Sequence, residues 1–396
     1  MLPPMNRTRM RRALAVTLVL GGTLAARPGA AAAPDPRLVL GLYSVPAAAC
    51  SLAAAAGFTV VHSYDFEKDS AESPAQFITR ARTYLDAAER SGLRVALGLP
   101  RNWVHERRKG DLRDAIRGLR EHPALLAWYE DEIAQSGDLE AVLELDRVVR
   151  DNDLLHGLVI EEGRPDKALR GVGRTRMFTY YPVNKDSRRS TSLQSCSERF
   201  PVEELDVPFW PVLQAFGADL VAGPARHELL TPTRGELEGS LCSALIAGAR
   251  GLFFYPYLHP TTFDGNKSAR GAWAYGNYKP LPAIAPELWK NVLGCVQLAK
   301  PLLDHLAGAH PSQALRIGRA PRGVEVGRWD TADGTLVVIA NLSRTAGNVE
   351  LVCDAPAGEL QWITSPEHGV ERHGTRLTLL VPGPSGLAFV VKPGAR

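Results

Sequence analysis

Between Arg37 and Leu306 the chain repeats one rhythm: a short β-rich run, a break, and in most cases a longer stretch of helical periodicity. The β-rich runs are Leu38–Tyr43, Thr59–Tyr64, Arg94–Leu99, Leu125–Glu130, Leu158–Glu161, Arg176–Tyr181, Phe209–Phe216 and Gly251–Tyr257. Helical patterns lie between and after them, at Pro74–Ser91, Asp111–Arg120, Asp138–Arg150, Thr233–Ala249 and Pro282–Leu306. About eight β units over some 270 residues is the size of a (β/α)8 barrel. Strands buried on both faces read as unbroken apolar runs, and Gly251-Leu252-Phe253-Phe254-Tyr255 is one. A doubly wound open sheet is the alternative. It lacks a phosphate loop, because Gly171-Val172-Gly173 precedes a β run and GxxxxGK[ST] is absent.

The texture changes after Pro311. Val324–Trp329 and Leu336–Leu342 flank a turn at Asp333-Gly334, a hairpin signal. Val349–Val352, Leu360–Ile363, Leu377–Val381 and Leu387–Val391 follow, separated by Gly and Pro. The expected architecture is α/β: a (β/α)8 TIM barrel over 36–310, then a small all-β sandwich over 311–396.

Residues 1–33 read as a secretory signal, with Arg11-Arg12, an apolar core from Ala13 to Ala26 and small residues at Ala30–Ala33. The core is shorter than the ~20 residues of a membrane span. The expectation is therefore cleavage near Ala33, a secreted or periplasmic protein, and no membrane attachment afterwards. The formal net charge is +3, and losing the five arginines ahead of Ala33 takes it to −2. That balance gives no electrostatic reason to expect nucleic acid as a partner. The five cysteines (Cys50, Cys196, Cys242, Cys295, Cys353) form no CxxC pair. One or two disulfides are conceivable after export, while Cys242 and Cys295 read as buried thiols.

Active residues of such a barrel gather at the C-terminal ends of its strands. Those ends carry His62, Tyr64 and Asp65; Arg101, Asn102 and Trp103; then Trp128-Tyr129-Glu130-Asp131-Glu132. They continue with Glu161-Glu162, Tyr180-Tyr181, Gln214, and Tyr255, Tyr257 and His259, with Trp273, Tyr275 and Tyr278 in the following connection. Carboxylates beside aromatics suit carbohydrate chemistry: one acid protonates the leaving oxygen, and rings cover the apolar sugar faces. In an extended strand Glu130 and Glu132 share one face, with Trp128 below them, and Asp131 takes the other to orient neighbours. The plainer readings are a solvated acidic turn, exposed charges at Glu161 and Glu162, barrel packing by Trp128 and Tyr129, and backbone satisfaction by Gln214. His259–Pro280 is expected as a long loop forming a lid over the barrel mouth. HExxH and GxSxG are absent, and no metal or cofactor is expected.

The segment His122-Pro123-Ala124-Leu125-Leu126-Ala127-Trp128-Tyr129-Glu130-Asp131-Glu132 resembles the "HPALLGWYxxDEP" strand of a bacterial glycoside hydrolase-like barrel family. That family is related in fold to the clan containing the β-galactosidase and cellulase families. Phe209–Gly217, Pro232-Thr233 with Glu236-Leu237, and Ala247–Tyr255 fit the same pattern, and a small sandwich often follows such barrels. The resemblance implies a hydrolase of glycosidic bonds with Glu132 as acid/base and Glu130 in support. Ile133 stands where the family has Pro, and Gln214 ends the strand on which clan members carry a nucleophilic Glu. A retaining mechanism of the usual clan type is thus not supported. An inverting one needs a second carboxylate roughly 6.5–9.5 Å away, for which Asp65 and Glu161 are the candidates. Tyr64, Asn102, Trp103, Trp128, Tyr129, Tyr180, Gln214, Tyr255, Tyr257, His259 and Trp273 are the expected sugar contacts. A carbohydrate-binding barrel without catalysis is the alternative, and a rim metal site is disfavoured by the lack of a His-carboxylate cluster.

Overall fold

The computed structural model describes residues 39–68, 70–131, 138–163, 165–202, 205–220, 228–267, 273–364 and 369–393, the side chains of 263–267 and 273–276 excepted. The signal expected over residues 1–33 lies outside them. Eight parallel strands close on themselves in chain order: β1 (Leu40–Leu42), β2 (Val60–Val61), β3 (Arg94–Gly98), β4 (Leu125–Asp131), β5 (Leu158–Glu162), β6 (Thr175–Tyr180), β7 (Phe209–Gln214) and β8 (Leu252–Tyr255). Closure is completed by β8 pairing with β1, Leu42 opposite Phe254.

The helices around it are α1 (Cys50–Ala55), α2 (Pro74–Arg90), α3 (Arg101–His105), α4 (Lys109–Leu119), α5 (Leu139–Asn152), α6 (Lys185–Arg189), α7 (Cys196–Arg199), α8 (Arg234–Ile246), α9 (Leu281–Ile284) and α10 (Pro286–Leu306). Local sequence explains several of their ends. Ser73 and Gln76 close a reciprocal capping box on α2, with Pro74 at the first helical position. Thr233 and Glu236 do the same for α8. The single helix expected over Pro282–Leu306 is two, because Pro286 starts a new helix after Ala285, whose backbone is outside the helical region.

The barrel interior is a packed core. Trp210 stacks on Phe253 with ring centroids 5.8 Å apart, and Phe253 meets the edge of Tyr43 at 5.4 Å. Gly41 makes room for this column, since a Cβ there would lie 2.2 Å from the Phe253 ring. Gly98 does the same higher up, where a Cβ would lie 2.3 Å from Glu67 Cγ.

The connection expected as a long loop is a hairpin: β9 (Leu258–Lys267) pairs antiparallel with β10 (Trp273–Pro280). Thr261, Thr262, Phe263, Tyr275 and Tyr278 are residues that favour strands, which the Gly and Asn content of the segment hides.

The C-terminal part is the expected sandwich. Its strands are β11 (His310–Pro311), β12 (Leu315–Arg319), β13 (Val324–Thr331), β14 (Gly334–Asn341), β15 (Gly347–Cys353), β16 (Leu360–Trp362), β17 (Val370–His373), β18 (Arg376–Val381) and β19 (Ser385–Val391). One sheet has the order β11-β13-β14-β19-β16 and the other β12-β15-β18-β17. The β13–β14 hairpin forms with Thr331 opposite Gly334.

The five-stranded sheet is buried on both faces. Val337, Ile339, Leu387 and Phe389 face the second sheet, while Leu336, Val338, Ala340, Ala388 and Val390 join the core that includes α8 and the barrel's outer layer. Small residues permit the approach: Gly239 lies against the Ser385 carbonyl, and Gly386 sits where a Cβ would meet Cys242 Sγ at 2.6 Å. Arg344, just past β14, reaches back to Glu236 of α8 at 2.5 Å and to the Ser187 carbonyl at 3.1 Å. Glu325 of β13 accepts from Ser243 Oγ at 2.5 Å. All five cysteines are buried free thiols, so none of the conceivable disulfides is formed. No helix among the described residues is long and apolar enough to cross a membrane.

Candidate active site

Side chains alternate across a strand, so the packed interior fixes which rim residues face the lumen. Ala127 and Tyr129 of β4 belong to the interior cluster, and Trp128 belongs to the outer core. Asp131 therefore faces inward with Tyr129, and Glu130 faces outward with Trp128. This reverses the expectation that Glu130 and Trp128 line the mouth while Asp131 looks away. On β5, Val159 is interior and Glu161 follows it inward. Asp131 and Glu161 are direct partners in the β4–β5 ladder, which places two carboxylates side by side on one face. Glu132, the expected proton donor, lies outside the described residues, as does the side chain of Trp273.

Tyrosines ring this pair. Tyr43 Oη lies 2.7 Å from Tyr129 Oη, and Tyr129 Oη donates to Asp131 Oδ1 at 3.3 Å. Tyr255 lies within ring contact of Tyr43, Tyr64 and Tyr181, at centroid distances of 5.9, 6.2 and 6.3 Å. Arg101, at the start of α3, brings its guanidinium 3.6 Å from Asp131 Oδ2. Burial first, and then the charges of Glu161 and Asp131, push the Tyr43 phenol well up; burial followed by Asp131 does the same to Tyr129 and Tyr64. Tyr43, Tyr129 and Tyr64 therefore keep their hydroxyl protons at neutral pH.

A third carboxylate belongs to this cluster. Glu67 lies over Gly98 and hydrogen-bonds His62 Nε2, whose ring is packed among Tyr43, Tyr64 and Tyr129. Burial pushes His62 down from 6.5 to about 3, so its imidazole is neutral and donates to Glu67. As pH falls from 6.5 towards 3, the unfolded chain takes up a proton that the folded protein excludes. Stability is thus full above 6.5 and declines below it, by about 1.4 kcal/mol per pH unit from this group. Urea unfolding between pH 7 and 4.5 is expected to show a shallower decline in His62→Gln than in the wild type. Equal slopes would remove His62 as the source.

The other expected contacts are placed differently. Trp128 is 0% exposed on the outer face, its Nε1 donating to Asp153 Oδ2 at 2.8 Å. Trp103 is also fully buried, against Phe77 and under the Arg108 guanidinium. Tyr180 packs outside the barrel on Phe200 and donates to the Gln194 carbonyl at 2.8 Å. Tyr257 packs edge-on against Trp289. Trp128 and Tyr180 are outer-layer residues because a barrel strand buries both faces, and bulk does not choose the inner one, while Trp103 belongs to α3 and Tyr257 follows β8. Asn102 is spent on the Ser70 backbone, at 3.0 Å to both N and O. His259 is buried against Phe216 and hydrogen-bonds the Pro260 carbonyl.

Asp65 is 59% exposed and pairs with Lys68 at 2.5 Å, away from the interior cluster. Glu162 is not an exposed loop charge either: it faces outward from β5, buried against Arg176 of β6 at 2.5 Å. Gln214 is 2% exposed, and its amide is fully used. Oε1 accepts from Val183 N at 3.2 Å, and Nε2 donates to the carbonyls of Val183, Phe216 and Leu230 at 3.1, 3.2 and 2.8 Å. Gln214 thereby brackets the segments that follow β6 and β7.

Among the expected contacts, Tyr64, Tyr129 and Tyr255 lie in the interior cluster with Glu161. The sequence reading missed Tyr43 and Glu67, noted His62, Arg101 and Tyr181 without giving them a role, and gave Asp131 only a supporting one. A signal was present: small residues at alternate positions (Gly41; Ala96 and Gly98; Ala127) mark the crowded inner face, and the next inward positions carry Tyr43, Tyr129 and Asp131.

Among the described residues one trio of possible metal ligands comes together, Asp86 and Glu89 of α2 with His122. His122 Nδ1 accepts the Ala124 N–H at 3.2 Å and Nε2 donates to Asp86 Oδ1 at 3.0 Å. Both ring nitrogens are committed, which leaves the histidine no lone pair for a metal.

No protein-family model and no curated protein matches the sequence. Solved structures do match in fold. A glycoside hydrolase of family 5 from Bacteroides vulgatus superposes with a TM-score of 0.56 at 11% identity, over 89% of this chain and 89% of that one. A maltogenic α-amylase from Thermotoga neapolitana gives 0.55 at 11% identity, over 90% and 99%. The α-amylase of Geobacillus thermoleovorans, in complex with acarbose, gives 0.54 at 12%, over 91% and 99%. The chain shares with these glycoside hydrolases the barrel and the general plan of the protein.

Proposed function

We propose that the protein is a glycosidase acting on an oligo- or polysaccharide, with Asp131 and Glu161 as its carboxylate pair. The observation that carries the reading is the pairing of these two residues across β4 and β5, both facing the lumen among tyrosines. Paired strands run about 4.8 Å apart. That suits the closer carboxyl spacing of retaining enzymes, about 5–5.5 Å, better than the wider inverting one. Arg101 and the Tyr129 hydroxyl favour the ionised form of Asp131, which makes it the nucleophile. In the first step its oxygen bonds to the anomeric carbon as the glycosidic C–O bond breaks, and Glu161 gives its proton to the leaving oxygen. In the second, Glu161 takes a proton from water, the water oxygen bonds to the anomeric carbon, and Asp131 leaves. The shared fold with glycoside hydrolases supports the substrate class. The signal-like segment 1–33 supports an exported protein cleaved near Ala33, which N-terminal sequencing of the mature product tests.

A non-catalytic sugar-binding barrel is the second reading, favoured by the saturated Gln214 at the end of β7. The experiment is a screen of the purified protein against aryl glycosides and polysaccharides, with binding and sugar release read together and the product anomer read by NMR. Release with retained configuration supports the glycosidase. Binding without release supports the second reading, and neither binding nor release removes both.

A further inference from the structure

Asp131 is held from below by two phenols that cross the lumen. Tyr129, two residues earlier on β4, donates its hydroxyl proton to Asp131 Oδ1. With that proton committed, Tyr129 Oη is an acceptor, and the hydroxyl of Tyr43, 2.7 Å away and the residue after β1, is the donor. The other acceptor near Tyr43 is Met177 Sδ at 3.6 Å, a weak thioether. Both phenols are 1% exposed, so water does not compete for either bond. We propose that Tyr43 and Tyr129 are positioning residues whose directional hydrogen-bond chain orients Asp131 and holds it as a carboxylate. The catalytic meaning of the chain rests on the reading of Asp131 as a reacting group; its effect on protonation does not.

Other groups also face Asp131. Glu161 stands beside it on β5 and disfavours its charge, and Arg101 from α3 favours it. Tyr64, from the segment after β2, senses the charge of Asp131 and of Glu67 beside it. Against this background the chain adds donors from β4 and from the residue after β1. Polarisation along hydrogen bonds is cooperative, so loss of the remote Tyr43 hydroxyl weakens the donor at Tyr129 by a fraction of one bond.

The test is a titration that needs no substrate. Protein carrying 13C at the aspartate side-chain carboxyl is titrated by NMR, and the Asp131 signal is assigned by its disappearance in Asp131→Asn. Tyr129→Phe is expected to raise the Asp131 midpoint by about 0.5–1 pH unit, roughly a three- to tenfold gain in proton affinity. Tyr43→Phe is expected to raise it in the same direction by a smaller amount, a factor of about two in proton affinity. A merely structural role would lower the melting temperature and leave the midpoint where it was. Midpoints unmoved in both variants overturn the proposal. Should Tyr129→Phe fail to fold, an unmoved midpoint in Tyr43→Phe overturns it alone. The two readings also fail separately. A shifted midpoint in a protein that cleaves no glycoside leaves the chain in place and removes the glycosidase. Cleavage with unmoved midpoints does the reverse.

Discussion

Asp131→Asn and Glu161→Gln are each expected to lower kcat on any cleaved glycoside by on the order of 10²–10⁴ or more, with the fold retained. Both substitutions keep side-chain shape and remove only the ionisable oxygen. Asn at 131 still accepts from Tyr129, so orientation survives while nucleophilicity does not. Glu130→Gln is the internal comparison, because that side chain points away from the lumen with Trp128, and its effect on kcat is expected to be small. Glu132→Gln carries the competing expectation drawn from the sequence, a loss of the same 10²–10⁴ order through a missing general acid. Initial rates for the four variants, with circular dichroism as a check on folding, rank the pairs directly. Wild-type rates in Asp131→Asn would return the assignment to Glu132.

The second large effect is on stability. Gln214→Glu is the change that would put a carboxylate at the end of β7, the strand end that the sequence resemblance marks as a nucleophile position. It is expected to destabilise the protein by about 3–5 kcal/mol and to give no gain in activity. The amide Nε2 donates to three carbonyls, and a carboxylate in its place sets negative charge against the same three oxygens in a site 2% exposed. Protonation restores one donor at most; the Val183 carbonyl keeps the Leu230 N–H at 3.0 Å, and a second cost remains at the Phe216 and Leu230 carbonyls, which lose the Gln214 donor, about 1–3 kcal/mol each. Gln214→Met separates the two costs by removing the hydrogen bonds without adding charge. Urea denaturation curves of the three proteins measure both; a Gln214→Glu protein as stable as the wild type would end the bracket interpretation.

The barrel and the sandwich were legible because their signals are periodic. Alternation of β and helical patterns from Arg37 to Leu306, and turn-punctuated strands after Pro311, survive errors of a residue or two at each boundary. The site was legible only in part, because lumen and outer face differ by a single residue of register. In an exposed sheet hydrophobic alternation settles which face is which. In β4 all of Tyr129, Glu130 and Asp131 are buried, so polarity carries no such information, and likeness to a known Asp-Glu motif drew attention to Glu132. The positions of Trp128 and Tyr180 illustrate the same limit: aromatic residues near strand ends suit a sugar platform and a helix-facing core equally well. Glu67 was beyond reach for another reason. Its approach to His62 depends on a missing Cβ at Gly98, thirty-one residues away, a relation that no local pattern encodes.

The helix between the seventh and eighth barrel strands has a consequence for how such a chain can change over time. Its one side seals the barrel and its other side floors the sandwich, with Gly239 and Cys242 set against Ser385 and Gly386. A recombination event that exchanged the last 86 residues for another module would have to supply the same tight seat, the same cation for Glu236 and the same apolar cover from positions 336, 338, 340, 388 and 390. Swapping the sandwich is therefore constrained by the barrel's own outer helix, as swapping a tethered appendage would not be.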